Sequence, residues 1–365
     1  MLRKFPRKIK RVVVKVGSSV IATYRMKPKI AHLRSLVAQI CAIQKENVEV
    51  VLVSSGAIVL GMGELNQKTR SKELAQIQAT AAVGQTVLMN TYNGLFKKNK
   101  IRCAQVLLTW DDFDNRERFN NACNTFAALL EMGIVPIVNE NDTISTEEIK
   151  FGDNDRLSAM VASMIQADLL LILSDVEGLY DLNSAEKKVF EEITEITEAI
   201  KAIAGGTTKK QISKGGMTAK LDAIKIVSKA NIPCVIAHGE SENVLLRVLK
   251  GERIGTFFAE REEKFLSRKH WISFVAKPKG VLSVDDGAKA ALQKGGKSLL
   301  LPGVLSWSGH FKKNDVVVVQ DKDGCEIARG ITDYGINDLE RTKSEDRKGK
   351  PEVIHTDDLV LSERI

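Results

Sequence analysis

Two lysines, each beside a run of small residues, carry the first chemical signal in the sequence. Lys15 stands inside Arg11-Val-Val-Val-Lys-Val-Gly17, a β-branched run closed by glycine and followed by Ser18-Ser19. The valines argue for a central strand, where a lysine is costly unless it is paired or points into a polar site. The backbone N–H groups of Gly17-Ser18-Ser19 are expected to lie open to a phosphate. Lys220 closes Lys214-Gly215-Gly216-Met217-Thr218-Ala219-Lys220, where paired glycines open a helix that runs on through Leu221, Ile224 and Val227. A Gly-rich turn at a helix start, with a lysine one turn in, suits a nucleotide phosphate. A flexible linker ahead of an ordinary helix would look much the same, and the preceding Gly205-Gly-Thr-Thr-Lys-Lys210 reads as a lid. Neither stretch is a Walker A loop or GxGxxG. Between them lies Gly152-Asp153-Asn154-Asp155, two carboxylates and a carboxamide on a Gly-turned loop before a helix expected over Leu157–Ile165. Asp and Asn also serve as helix caps, so the tetrad gains chemical meaning only from what surrounds it.

Together these residues offer two lysines, several backbone nests and nearby acids, with no His or Cys arranged as a nucleophile. That combination suits phosphoryl transfer, where positioning and charge neutralisation do most of the chemistry. A carboxylate acceptor, with a pKa of about 4, is already ionised at neutral pH and needs no general base. The difficulty is bringing an anion against a γ-phosphate, which lysines and Mg²⁺ would offset. The tetrad is then the place where an amino-acid substrate meets two phosphate-binding lysines.

The elements that must position these groups alternate. Strands are expected at 11–17, 48–53, 101–108, 133–138, 168–173 and 232–237, and helices at 29–45, 74–96 and 116–132. Such alternation implies an α/β fold, a mostly parallel sheet sandwiched by helices. Ligands of such sheets bind beyond the carboxyl ends of the strands. Those ends here carry Gly17-Ser18-Ser19, Ser54-Ser55-Gly56, Asn139 to Asp142 and Ser174-Asp175, too many small and polar residues for turn chemistry alone.

After Arg261 the texture changes. A charged connector is followed by short β-like runs at 280–284, 298–301, 315–320 and 327–330, with one helix at 286–293, a charged mobile loop at 340–351 and a last strand at 352–361. The division expected is a catalytic domain over 1–261 and a small, mostly β, barrel-like domain over 270–365. Trp271 and Trp307 read as core or interface residues.

The chain has 365 residues, 44% hydrophobic and 27% charged, a composition for roughly two soluble domains. No apolar run approaches the ~20 residues needed to cross a bilayer, and the basic start lacks the apolar core of a signal peptide. No membrane association and a cytoplasmic location are expected. Cys41, Cys103, Cys123, Cys234 and Cys325 are scattered, which fits reduced thiols and no zinc site. A net charge of +8 suits anionic ligands and also permits RNA binding.

The chain resembles the bacterial glutamate 5-kinases of the amino-acid kinase superfamily. The resemblance runs through Val14–Ser19, Val53–Ile58, Ala81–Gln85, Leu107–Thr109, Asp114–Phe119, Pro136–Asp142, Gly152–Asp155 and Gly215–Met217. The second domain resembles a PUA domain, the module shared with RNA-modifying enzymes, through Val284–Ala288, Ser298–Leu300, Gly303-Val304, Gly309–Phe311 and Val353–Asp358. The resemblance implies ATP- and Mg²⁺-dependent phosphorylation of the side-chain carboxylate of L-glutamate, the first step of proline synthesis, with proline as feedback inhibitor. It implies that Lys15 and Lys220 flank the transferred phosphoryl group and that Asp155 holds both. Ser55, Asp142, Asn154 and Asp153 would bind glutamate. Gly17, Ser174, Asp175 and the segment Lys214 to Lys220 would contact ATP. Self-association through the catalytic domain is also implied.

Three positions depart from the family pattern. Ser213-Lys214 stands where Gly-Thr is usual in the nucleotide loop, Ser54 replaces a threonine, and Asn314-Asp315 stands for Gly-Asp. Two rival readings remain at this stage. One is a kinase for another small acid, aspartate or N-acetylglutamate. The other is an RNA-binding or regulatory protein, against which stand an aromatic content of 5% and no visible stacking stripe.

Overall fold

A computed structural model describes residues 2–145, 154–181, 188–205, 216–259, 272, 278–344 and 351–362. The chain divides into two compact units, Met1–Trp110 with Asn121–Lys264, and Asp111–Asn120 with Phe265–Ile365.

In the first unit the Val-, Leu- and Ile-rich runs become strands because their branched side chains suit a pleated surface buried on both faces. These are β1 (Arg11–Val16), β2 (Glu49–Ser54), β3 (Cys103–Leu108), β4 (Val135–Glu140) and β5 (Leu169–Ser174), then the short β6 (Tyr180–Asp181), β7 (Lys188–Val189) and β8 (Glu192–Ile193), then β9 (Cys234–His238) and β10 (Thr256–Phe258). Eight of them form one sheet in the order β3-β4-β2-β1-β5-β9-β10-β8. The pairs from β3 across to β9 are parallel, as is β10–β8, whereas β9 and β10 pair antiparallel.

Side chains alternate across a strand, and the alternation decides where Lys15 goes. Val12, Val14 and Val16 pack with Val50, Leu52, Leu169, Leu171 and Leu173 against Leu33, Leu36, Val37 and Ile40 of the helix Ile30–Lys45. Each such side chain contributes about 1.5–3 kcal/mol by leaving water. Lys15 faces the other way, toward the layer containing the helix Asn154–Met164, which packs on β1, β2, β4 and β5. The helix Met217–Lys229 packs against that helix and on β9.

One helix pair needs glycine. A Cβ at Gly84, in the helix Leu74–Lys98, would sit 1.8 Å from Ala57 O, and one at Gly61 would sit 1.9 Å from Thr80 O. The helix Ala57–Glu64 therefore lies backbone to backbone on Leu74–Lys98, which fixes where the turn Ser54-Ser55-Gly56 can go.

The second unit contains β11 (Gly280–Val284), β12 (Leu299–Leu300), β13 (Val304–Gly309), β14 (Val316–Gln320), β15 (Glu326–Ile331), β16 (Glu352–Ile354) and β17 (Leu359–Leu361). A five-stranded sheet runs β13-β11-β14-β15-β17, and β12 pairs with β16. Leu282, Val284, Val317, Val319, Ala328 and Ile354 belong to its core. The single last strand expected over 352–361 is two strands, broken by a turn at Thr356–Asp358 that the His355 side chain caps through Asp357 N. The strand β13 was not expected: its outward residues Leu305, Ser306, Ser308 and Gly309 are exposed and leave no apolar alternation to read. Residues Ile336–Ser344 form a helix where the charged stretch suggested a loop from 340; Glu340 falls on its wet side while Leu339 is buried. The end of that stretch, 345–350, lies outside the described residues, as do the connector at 262–269 and Trp271. Trp307 packs half-buried against the unit's core.

Candidate active site

The carboxyl ends of β1, β2, β4, β5 and β9 bring Gly17, Ser54-Ser55, Asn139-Glu140, Ser174 and His238 to one edge of the sheet. β1 pairs with β2 on one side and β5 on the other, so the strand order reverses beside it. A reversal of this kind opens a crevice at the carboxyl ends.

The helix Asn154–Met164 starts above that crevice. Its first residue ties it there: Asn154 Nδ2 donates to Ser54 O at 2.9 Å and to Asn139 Oδ1 at 2.7 Å. Asp155 follows and is fully buried, with Ser158 Oγ donating to its carbonyl at 2.6 Å. Lys15 Nζ pairs with Asp155 Oδ1 from the sheet side. Lys220, in the first turn of Met217–Lys229, places Nζ 2.9 Å from Asp155 Oδ2. Lys15 is 5% exposed and Lys220 4%. Two lysines therefore share one carboxylate out of water. Two ammonium groups held side by side in this way suit the oxygens of a phosphate entering the site.

The helix Met217–Lys229 adds its amino terminus at Gly216, where helix N–H groups and dipole favour anions. Met217 and Ala219 are half-buried and Thr218 is exposed. Gly17 has φ −71°, a conformation open to any residue, and a Cβ there would meet nothing nearer than Leu173 O at 3.5 Å, with Lys15 Nζ at 3.9 Å. The fold itself does not demand this glycine. Its N–H, expected to be open to phosphate, instead donates to Leu173 O at 3.1 Å, because β1 keeps pairing with β5 past its last residue.

On the β2–β4 side the polar groups are layered. Ser55 is half-buried, and its N–H donates to Val16 O at 3.1 Å, tying the end of β2 to β1. Asn139 Oδ1 also accepts from Glu140 N at 2.9 Å, while Asn139 Nδ2 donates to Gln85 Oε1 at 2.8 Å. Asp142 lies just past β4, where burial, reinforced by the Glu140 carboxylate and opposed by Arg70, raises its pKa to about 7. Ser174 is buried at the end of β5, donates to Asp175 Oδ1 at 3.0 Å and accepts from Gly239 N at 2.7 Å, leaving Asp175 exposed.

Residues 10–238 match the Amino acid kinase family, and residues 280–351 match the PUA domain. The chain belongs to the amino acid kinase family. It is 48% identical to a glutamate 5-kinase of Dictyoglomus thermophilum, over 97% of this chain and 98% of that one. It is 43% identical to a glutamate 5-kinase of Caldanaerobacter subterraneus subsp. tengcongensis, over 97% and 98%, and 41% identical to one of Geobacter sp. strain M21, over 99% and 100%. A solved UMP kinase from Bacillus anthracis superposes with a TM-score of 0.49 and 15% identity, covering 70% of this chain and 97% of that one.

In this amino acid kinase Lys15, Asp155 and Lys220 meet directly, although 140 and 65 residues separate Asp155 from its partners. Asn154 and Asp155 are in the first turn of a helix and not on a loop before it, because Asn154 is held down by Ser54 and Asn139. Gly152, Asp153, Lys214 and Gly215 lie outside the described residues, as do the departure at Ser213 and the lid stretch 206–210. Asn139, Glu140 and Gln85, motif residues to which the sequence assigns no role, form the polar layer that holds Asn154. The polar end of β4 signalled the first two. Gln85 sits mid-helix and gives no local signal.

Among the described residues no group of three or more His, Cys, Asp or Glu could hold a metal ion. No helix among the described residues is long and apolar enough to cross a membrane.

Proposed function

We propose that this amino acid kinase transfers the γ-phosphoryl group of ATP, as its Mg²⁺ complex, to the side-chain carboxylate of L-glutamate, giving L-glutamyl 5-phosphate and ADP. The observation that carries the reading is the buried Lys15–Asp155–Lys220 cluster at the strand-order reversal. The glutamate 5-kinase relatives supply the acceptor.

A glutamate carboxylate oxygen attacks the γ-phosphorus in line, the bond to the β-phosphate oxygen breaks, and ADP leaves. The attacking group is ionised at neutral pH, so no proton has to be removed. Lys15 and Lys220 neutralise the phosphoryl oxygens, and Asp155 holds the two ammonium groups at a fixed separation. The amino terminus of Met217–Lys229, with Lys214, Gly215, Gly216, Thr218 and Ala219, receives the ATP phosphates, with Gly17 leaving room beside Lys15. Ser174 and Asp175 contact the nucleotide. Ser55, Asp142, Asp153 and Asn154 bind glutamate, the acidic groups facing its ammonium.

The same reading makes this the first step of proline synthesis in the cytoplasm, with proline as inhibitor and a homo-oligomer formed through the catalytic unit. RNA is the ligand proposed for the PUA domain, to be tested by filter binding: binding that tracks RNA structure at elevated salt supports it, and only salt-labile binding refutes it.

The reaction is tested by following ADP release with glutamate, aspartate and N-acetylglutamate offered separately. Release with glutamate alone is expected. Release with aspartate or N-acetylglutamate instead would move the specificity while leaving the phosphoryl-transfer site in place.

A further inference from the structure

Beneath Asn154 lies a chain of side-chain amides whose polarity is set at both ends by the backbone. Ser54 O can only accept, so the Asn154 atom facing it at 2.9 Å is the NH₂ group. Glu140 N can only donate, so the Asn139 atom facing it at 2.9 Å is the oxygen. The two amides then meet in one way, with Asn154 Nδ2 donating to Asn139 Oδ1 at 2.7 Å. Asn139 Nδ2 is left to point at Gln85, whose Oε1 accepts at 2.8 Å.

Two consequences follow. Gln85 Nε2 is turned away, buried and without a hydrogen-bond partner among the described residues. A buried amide donor is rarely left so, and the arrangement makes sense if Gln85 is held to serve Asn139 at the expense of its own bonding. At the other end both Asn154 N–H bonds are spent on protein. The group Asn154 can offer a ligand is therefore its oxygen, an acceptor.

We propose that Gln85 is a positioning residue: through Asn139 it locks the Asn154 carboxamide with Oδ1 toward the substrate, so that Asn154 recognises a hydrogen-bond donor. On an amino-dicarboxylate at neutral pH the donor is the ammonium group. This inference rests on the proposed function and refines it, assigning Asn154 to the ammonium and not to either carboxylate. Asn139 is the middle link. Gln85 does not touch substrate.

The test is Gln85→Met, which keeps the length of the side chain and removes the acceptor for Asn139. Its glutamate KM, its ATP KM and its inhibition constant for glutarate, which is glutamate without the ammonium, are measured beside the parent protein. Asn139 then keeps its bonds to Glu140 N and Asn154 but loses the one that fixes its amide from the far side, so Asn154 is held less rigidly. Glutamate KM should rise about tenfold, the size of one lost charge-assisted hydrogen bond, with ATP KM and the glutarate constant within about twofold. Calorimetric titration of glutamate should give the same weakening without turnover. Unchanged glutamate affinity overturns the proposal. So does an equal loss for glutamate and glutarate, or for ATP, which would mean that Gln85 only supports the fold. If the parent protein itself fails to phosphorylate glutamate, the functional reading fails first, and that result is read before any variant is made.

Discussion

Lys220 Nζ lies 2.9 Å from Asp155 Oδ2, and both side chains are buried. A lysine so placed cannot act as a loose counterion; it is pre-set for charge that develops inside the site. Lys220→Ala is expected to lower kcat by about 10²–10³-fold, as loss of one transition-state donor does, with ATP KM within about threefold. Steady-state kinetics with varied ATP checks the split. Comparable turnover would remove Lys220 from the mechanism.

Asp155 has a different burden. Asp155→Asn removes the buried carboxylate with which both Lys15 and Lys220 pair. Removing one partner from a buried ion pair costs about 3–5 kcal/mol. For a domain of this size the melting temperature should fall on the order of 10 °C. ATP should restore part of the loss by supplying the missing anion. Scanning calorimetry with and without nucleotide reads both effects, and an unchanged melting temperature would contradict the pairing.

Asp142 predicts a pH dependence. Its folded pKa of about 7 stands above the unfolded value of about 3.9. The folded protein therefore holds a proton that the unfolded chain has lost, and this group's contribution to stability falls as pH rises from about 4 to about 7, then levels off. Binding runs the opposite way, since an ammonium needs the ionised carboxylate. kcat/KM for glutamate should rise with pH through an inflection near 7, and Asp142→Asn should flatten that limb. A parent profile flat across neutral pH would rule out Asp142 as the ammonium partner.

The architecture was largely legible in the sequence because branched runs and helical spacing repeat in a fixed order. Lys15 was readable as a buried lysine with a purpose, since a charge inside Val12–Val16 has no bland explanation in a central strand. What escaped was set by contacts distant in sequence. Asn154 and Asp155 look like loop residues until Ser54 and Asn139, 100 and 15 positions away, pull them into a helix. The Gly17 N–H looks available until β5 is placed beside it. Gln85 carries no local mark at all; its meaning comes from Asn139. In the second unit β13 was missed because its outward residues are mixed, while β11 and β14 were readable from their buried valines and leucines.

Gly84 and Gly17 separate packing from ligand space. Gly84→Ala puts a methyl group 1.8 Å from Ala57 O and should destabilise the protein by about 1–3 kcal/mol or more, as overpacking does. Gly17→Ala meets no protein atom within 3.5 Å and should leave the melting temperature unchanged while raising ATP KM. Melting curves and ATP kinetics on the two variants decide it. A destabilised Gly17→Ala would mean that the glycine serves the fold.

The central claim is an acyl phosphate made on a glutamate side chain. Purified protein, ATP, Mg²⁺ and glutamate are incubated with hydroxylamine, whose nitrogen attacks the acyl carbon and expels phosphate, leaving a stable hydroxamate. γ-Glutamyl hydroxamate, formed only when ATP and glutamate are both present and lost in Lys15→Ala and Lys220→Ala, is the predicted result. No hydroxamate from folded protein that binds ATP would contradict the account and put a binding role for the chain ahead of catalysis.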